Sequence, residues 1–338
     1  MEKDMKLNKI IVINMLVLVF LSACNGGSSS TNQLSNSLTP SAMKPQKSLV
    51  IKNGDPVHIP EINALVPLIH IKVAGPHYRV CTGVFLAPNK VLTAAHCVIK
   101  LRDKTSDQYF ESIDLFTPIT MAVIFPKQLY QPVNTNTDKP GKHWNVYPVK
   151  GVYVRSDVFA GVNMSDGFFI IADYQGINDL AILELGIAPK YKFHMELASV
   201  APQVNEQQIV VGFGHNDGDN TKKVKDQSHG KAGLLRIGKT IVSDITPTKY
   251  PSILRIGGAI TKLNTPYVSA CNGDSGGPSL VYNESSLTYT ITGISSLGYG
   301  IQECSVLPNF YMSVAYYKDW IESGYKTDSL QTISTIHY

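Results

Sequence analysis

From residue 51 onward the chain is laid out as short apolar runs, each closed by glycine, proline or asparagine. Residues 68–73, 84–86, 90–93, 168–171, 180–185, 208–211 and 288–294 read as strands, and Pro88-Asn89 marks a turn between two of them. Many short β segments separated by turn signals predict an all-β sandwich or barrel. One helix is expected, near the end. Val314, Tyr317, Trp320 and Ile321 fall on one face at helical spacing, and Gly324 would stop it. No internal repeat is visible. The stretch 134–142, with Pro140 and Gly141, reads as an irregular loop.

Composition sets the class. The 338 residues are 43% hydrophobic and 17% charged, far from the disordered regime and enough for a substantial core. That length holds one large domain or two ordinary ones. The net charge is only +4, and the densest basic cluster, Lys222, Lys223 and Lys225, runs directly into Asp226. A nucleic-acid partner would require a stronger basic stripe, so none is expected. No run reaches the roughly 18 apolar residues of a membrane-spanning helix.

The N-terminus reads as an address. Lys3, Lys6 and Lys9 precede an apolar run over 10–21, broken only by Asn14. That is the layout of an export signal, too short to span a bilayer. It ends in Leu21-Ser22-Ala23-Cys24, which resembles a bacterial lipobox. The resemblance implies removal of residues 1–23, lipidation of Cys24 and membrane attachment through its acyl chains. Asn25 after the cysteine resembles an outer-membrane sorting signal, should the cell be Gram-negative. The alternative is an ordinary secretory signal with an incidental Cys24. Residues 24–50, rich in Ser, Asn, Thr and Gly, read as a flexible tether that doubles as a propeptide.

Without Cys24 the cysteines are Cys81, Cys97, Cys271 and Cys304, an even set in an exported chain. Export permits disulfides, and four cysteines allow three connectivities that spacing does not separate. Metal binding is the other use of such residues, but these spacings do not resemble zinc pairs.

Three strings carry chemistry: Thr93-Ala94-Ala95-His96-Cys97, Asn178-Asp179-Leu180-Ala181-Ile182-Leu183-Glu184-Leu185 and Cys271-Asn272-Gly273-Asp274-Ser275-Gly276-Gly277-Pro278. Taken singly, each has a plain structural reading: a packed histidine, a turn aspartate, a glycine loop. Together, in this order, they resemble the histidine, aspartate and nucleophile motifs of chymotrypsin-like (trypsin-fold) serine proteases. The resemblance covers about 51–324. It implies two six-stranded antiparallel Greek-key β-barrels with a C-terminal helix, one protease domain over 51–338, and the active site between the barrels. It also implies a serine endopeptidase, acting as a monomer on protein or peptide substrates with no metal or organic cofactor.

The chemistry matches the residue types. A serine hydroxyl is a weak nucleophile unless a base takes its proton as it attacks. In the family's scheme Ser275 attacks, His96 is the base, and Asp179 orients and stabilises the imidazole. The backbone N–H groups of Gly273 and Ser275 form the oxyanion hole. Further matches are Val210-Val211-Gly212-Phe213-Gly214, with Phe in place of the family's Trp, and Gly293-Ile294-Ser295-Ser296-Leu297-Gly298. The second implies that Ser296 bonds the aspartate, with Leu297 in place of an aromatic residue.

The resemblance implies the disulfides Cys81–Cys97 and Cys271–Cys304. It places Ser269 on the floor of the primary pocket, Gly298 on one wall, and Asn309 where a glycine is usual. A neutral Ser269 argues against strict Arg or Lys specificity and favours small or apolar side chains. Ile51-Lys52-Asn53-Gly54 resembles the start of mature family members, whose freed amine pairs with the aspartate before the nucleophile, here Asp274. A cut after Val50 would then also release the chain from its lipid anchor. The long segment between His96 and Asp179 reads as a surface insertion. Asn216-Asp217-Gly218-Asp219-Asn220 lacks the ligand alternation of a calcium loop and reads as a polar turn. Two rival functions stand beside the protease: a catalytically silent, protease-shaped surface binding protein or adhesin, and an esterase with the same acyl chemistry.

Overall fold

Gly83 shows how the first half closes. The strand β2 (His77–Thr82) ends there and β3 (Val84–Ala87) begins. A Cβ at Gly83 would lie 2.6 Å from Val91 Cγ1, so the chain passes too close to its neighbour for any side chain. On one side of the bend β2 pairs with β1 (Leu68–Ala74), Ile69 opposite Cys81. On the other, β3 pairs with β4 (Lys90–Thr93), Val84 opposite Leu92. With β5 (Met121–Pro126), β6 (Trp144–Arg155) and β7 (Ala181–Leu185), the sheet order is β2-β1-β5-β6-β7-β4-β3. Its two ends are one bent strand, so the six strands curl into a barrel, as the resemblance implies.

These features come from a computed structural model. It describes residues 55–56, 60–74, 77–100, 114–126, 144–158, 162–165, 168–171, 177–190, 195–215, 233–243, 250–258, 268–298 and 308–334. All belong to one unit, Lys47–Tyr338. The expected loops at 134–142 and 216–220 and the basic cluster at Lys222 lie outside them.

The second half repeats the plan. It uses β8 (Gln207–Gly212), β9 (Arg236–Ile241), β10 (Ile253–Ile256), β11 (Pro278–Asn283), β12 (Thr288–Ser295) and β13 (Asn309–Ser313). The order is β9-β8-β11-β12-β13-β10, and a bridge between Val242 and Ile256 joins its ends. In both barrels the strands therefore run second, first, fourth, fifth, sixth, third. Two short pieces extend this sheet: Asp55–Pro56 beside β9, and Met195–Leu197 parallel to β12.

Helices are few and short. Between α1 (Pro60–Leu65) and the last helix lies α2 (Ala95–Val98). The last is α3 (Val314–Glu322), which buries Val314, Tyr317, Trp320 and Ile321. It ends at Glu322, and Gly324 opens a 3-10 turn rather than acting as the stop itself. A strand the sequence reading did not include follows, β14 (Ser329–Ile333), which pairs with β6 of the first barrel. Its Ser-Leu-Gln-Thr-Ile alternation is half exposed and too weak to mark a strand alone.

Candidate active site

The histidine segment leaves the first barrel at the end of β4. Cys97, the next residue, is bonded to Cys81 on β2. Arg79, also on β2, donates to the carbonyls of His96 (2.8 Å), Ile99 (3.0 Å) and Cys97 (3.4 Å). A four-residue helix cannot satisfy its own last carbonyls. The guanidinium does so, and burial lowers the Arg79 pKa from its ordinary value. His96 is thus held from both sides.

Asp179 faces it, fully buried. Asn178, at φ 43°, turns the chain just before the aspartate. The Tyr317 hydroxyl of α3 donates to Asn178 Oδ1 at 2.7 Å and braces that turn. Asp179 Oδ1 accepts the His96 backbone N–H at 2.7 Å. Its Oδ2 lies 2.7 Å from His96 Nδ1 and accepts the Ser296 hydroxyl at 2.5 Å. Burial alone would raise the Asp179 pKa, but His96, Ser296 and the His96 N–H outweigh it and hold the carboxyl below its ordinary value. An ionised carboxylate only accepts, so the shared hydrogen sits on Nδ1 and the neutral ring keeps its lone pair on Nε2.

The Ser275 loop comes from the second barrel, between β10 and β11. Gly273 and Gly276 have φ of 98° and 82°, conformations that side chains oppose. A Cβ on Gly276 would also lie 2.1 Å from Thr93 Oγ1. Gly276 N donates to Ser295 O (2.7 Å) and Ser295 N to Gly277 O (2.8 Å), docking the loop on β12. Ser275 O accepts the Thr82 N–H at 2.8 Å, and Cys97 Sγ lies 3.7 Å from the same oxygen. Ser275 is therefore anchored to the strand that carries Arg79 and Cys81, beside the disulfide that holds His96.

Asp274 points the other way, into the second barrel, 2% exposed. Its Oδ1 accepts from Gly214 N (2.7 Å) and its Oδ2 from Cys271 N (2.8 Å). Cβ atoms on Gly212 or Gly214 would lie 2.1 and 2.5 Å from this carboxylate, so both glycines are needed for its approach. Buried Arg236 reaches Gly214 O at 3.4 Å. Desolvation pushes the Asp274 pKa up to about 6, against the two N–H groups and the Arg236 charge.

Three of the four residues expected at the primary pocket come together. Ser269 Oγ donates to Asn309 Oδ1 at 2.9 Å, and Asn309 Nδ2 donates to Ala270 O at 2.8 Å. A Cβ on Gly298 would lie 3.6 Å from that Nδ2. Ser269 and Asn309 are both buried, and neither is ionisable, so this pair brings no charge. Ser296, also expected at the pocket, bonds Asp179 through its hydroxyl.

The Trypsin family model matches residues 64–139 and 160–321. The chain belongs to the trypsin family. Similar proteins include Transmembrane protease serine 11C of Mus musculus, 29% identical over 159 residues (43% of this chain, 33% of the relative). Complement factor I of Mus musculus is 26% identical over 254 residues, 71% of this chain and 34% of the relative. Trypsin eta of Drosophila melanogaster is 31% identical over 129 residues, 38% of this chain and 44% of the relative. The chain spans less than half the length of each of these relatives.

Three expected site residues fall outside the described residues: Cys24 of the lipobox-like string, Ile51 and Cys304. Cys271 is disulfide-bonded. Cys81, His96 and Cys97 bring their ligand atoms within 4.8 Å of one another, but both sulfurs are spent in the disulfide and offer no thiolate to a metal. No helix among the described residues is long and apolar enough to cross a membrane. Sequence reasoning did not single out Arg79, Thr82, Tyr317 as the Asn178 brace, or Arg236. None sits in a motif; the only local signal is that Arg79 and Thr82 flank Cys81.

Proposed function

We propose that this trypsin-family chain is an exported serine endopeptidase that forms its acyl-enzyme on Ser275. The observation that carries the reading is the Ser296–Asp179–His96 chain, with the aspartate fully buried, both its oxygens bonded and the imidazole presenting Nε2. His96 takes the Ser275 proton and returns it to the leaving amine, while Asp179 stabilises the imidazolium. The N–H groups of Gly273 and Ser275 stabilise the tetrahedral oxyanion. Among the described residues the Ser269–Asn309 floor presents no carboxylate to pair with Lys or Arg, which favours small or apolar substrate side chains.

The same proposal includes a lipid anchor at Cys24 in a bacterial envelope and activation by a cut after Val50. The Ile51 amine would then enter and pair with Asp274, whose buried carboxylate is held, among the described residues, by two N–H groups and the Arg236 field. The test is labelling with a fluorophosphonate probe, comparing the full chain, a form beginning at Ile51, and Ser275→Ala in each. Labelling of the Ile51 form alone, abolished by Ser275→Ala, is the expected result. Equal labelling of both forms removes the activation step. A folded protein that takes no label in either form would be the silent surface binding protein.

A further inference from the structure

We infer that Thr82 is a positioning residue for the oxyanion hole, acting through the carbonyl of Gly273; this rests on the reading of Ser275 as nucleophile. Thr82 ends β2 in the first barrel, beside Cys81, and is fully buried. All three of its polar atoms are engaged, and two of them, the N–H and the hydroxyl, make three bonds to the second barrel or its loops. Its N–H donates to Ser275 O at 2.8 Å. Its hydroxyl donates to Gly273 O at 2.8 Å and accepts the Phe213 N–H at 3.0 Å. Its carbonyl accepts the Thr93 hydroxyl at 2.8 Å.

The direction of these bonds is fixed by chemistry. A carbonyl cannot donate, so the single hydroxyl proton of Thr82 goes to Gly273. One residue therefore grips two carbonyls of the nucleophile loop, on either side of Asp274. Gly273 supplies an N–H to the proposed hole, and a glycine at φ 98° is the residue freest to change its backbone conformation. Rotation of its peptide groups would break the bond to Thr82. The hydroxyl thus selects one Gly273 conformer before substrate arrives, which is the preorganisation an oxyanion site requires. Phe213 lies between Gly212 and Gly214, the glycines packed on the Asp274 carboxylate, so the same hydroxyl joins that cage to the hole.

The test compares Thr82→Val, which keeps the branched shape and removes the hydroxyl, with Thr82→Ser, which keeps the hydroxyl. We expect Thr82→Val to lower kcat about 10–100-fold, less than outright loss of an oxyanion donor, with KM little changed. Affinity for a peptide aldehyde, whose adduct carries the oxyanion, should fall in parallel, and Thr82→Ser should restore both. Independently of activity, the Gly273 amide resonance, read in a Ser275→Ala background, should move in Thr82→Val and return in Thr82→Ser. An unmoved amide resonance overturns the proposal, as does an unchanged kcat, or a Thr82→Ser variant as impaired as Thr82→Val. If the parent protein hydrolyses no peptide, the functional reading falls, and the amide resonance still decides the role of Thr82.

Discussion

Asp179 and Asp274 are both buried carboxylates, and their surroundings push them in opposite directions. Asp179 has an imidazole, a hydroxyl and an N–H converging on its two oxygens, so it stays ionised. Replacing it with Asn keeps the shape but lets the amide donate, which favours the wrong histidine tautomer. Asp179→Asn should therefore lower kcat by roughly 10³–10⁴ with KM little affected, measured on a peptide substrate. Asp274 stands at about 6, above the ~3.9 of an unfolded aspartate, so the folded chain binds that proton more tightly. Its contribution to stability is complete below about pH 4 and is lost as pH rises through about 6. Asp274→Asn stays neutral, so urea unfolding should show parent stability falling relative to the variant across pH 4–7, by about 2–3 kcal/mol. A difference that stays flat would mean that a cation already neutralises the carboxylate in the uncleaved chain.

Among the elements, α2 and β14 depend most on distant partners. The four residues of α2 have no helical pattern; Arg79 and the Cys81–Cys97 bridge hold them. The bridge closes a sequence separation of 16, a span for which loop entropy is worth about 3 kcal/mol. Replacing both cysteines with alanine should cost about that much, seen as a lower denaturant midpoint, with a slope that rises as the unfolded chain loses its cross-link. A loss below ~1 kcal/mol would assign the anchoring to Arg79. The turn leading to β14 is pinned by Glu184, which accepts from Tyr325 (2.8 Å) and Tyr153 (3.1 Å) and pairs with Lys326 (3.1 Å). Beyond that turn β14 covers β6, which would otherwise expose an unpaired edge to other chains. Ending the chain after Thr327 should therefore promote self-association, measured by light scattering; a truncated chain that stays monodisperse would contradict this.

At the scale of the molecule, two barrels of the same strand order share one task. The first supplies His96 and Asp179, the second Ser275 and Ser296, and the hydrogen bonds of Ser296 to Asp179 and Thr82 to Ser275 cross between them. One apolar cluster includes Val84, Leu92 and Ile182 of the first barrel and Val211, Leu280 and Ile294 of the second. A core continuous through both halves argues for joint unfolding. Near-ultraviolet and far-ultraviolet circular dichroism should report one coincident denaturant transition. Two separated transitions would show the barrels to be energetically independent.

The sequence by itself determined what local pattern carries. Residues 68–73, 208–211 and 288–294 announced strands because β-branched runs between turn residues have few other solutions. Val314, Tyr317, Trp320 and Ile321 announced a helix face, and the strings around His96, Asp179 and Ser275 named the family. The tertiary structure decided what depends on partners far apart in the chain. Thr82 and Gly273 are separated by 191 residues, Ser296 and Asp179 by 117, and Tyr317 and Asn178 by 139. A threonine or tyrosine looks alike in sequence whether its hydroxyl meets water or a buried carbonyl. Only the fold, by removing water from these groups, dictates which partner each must find.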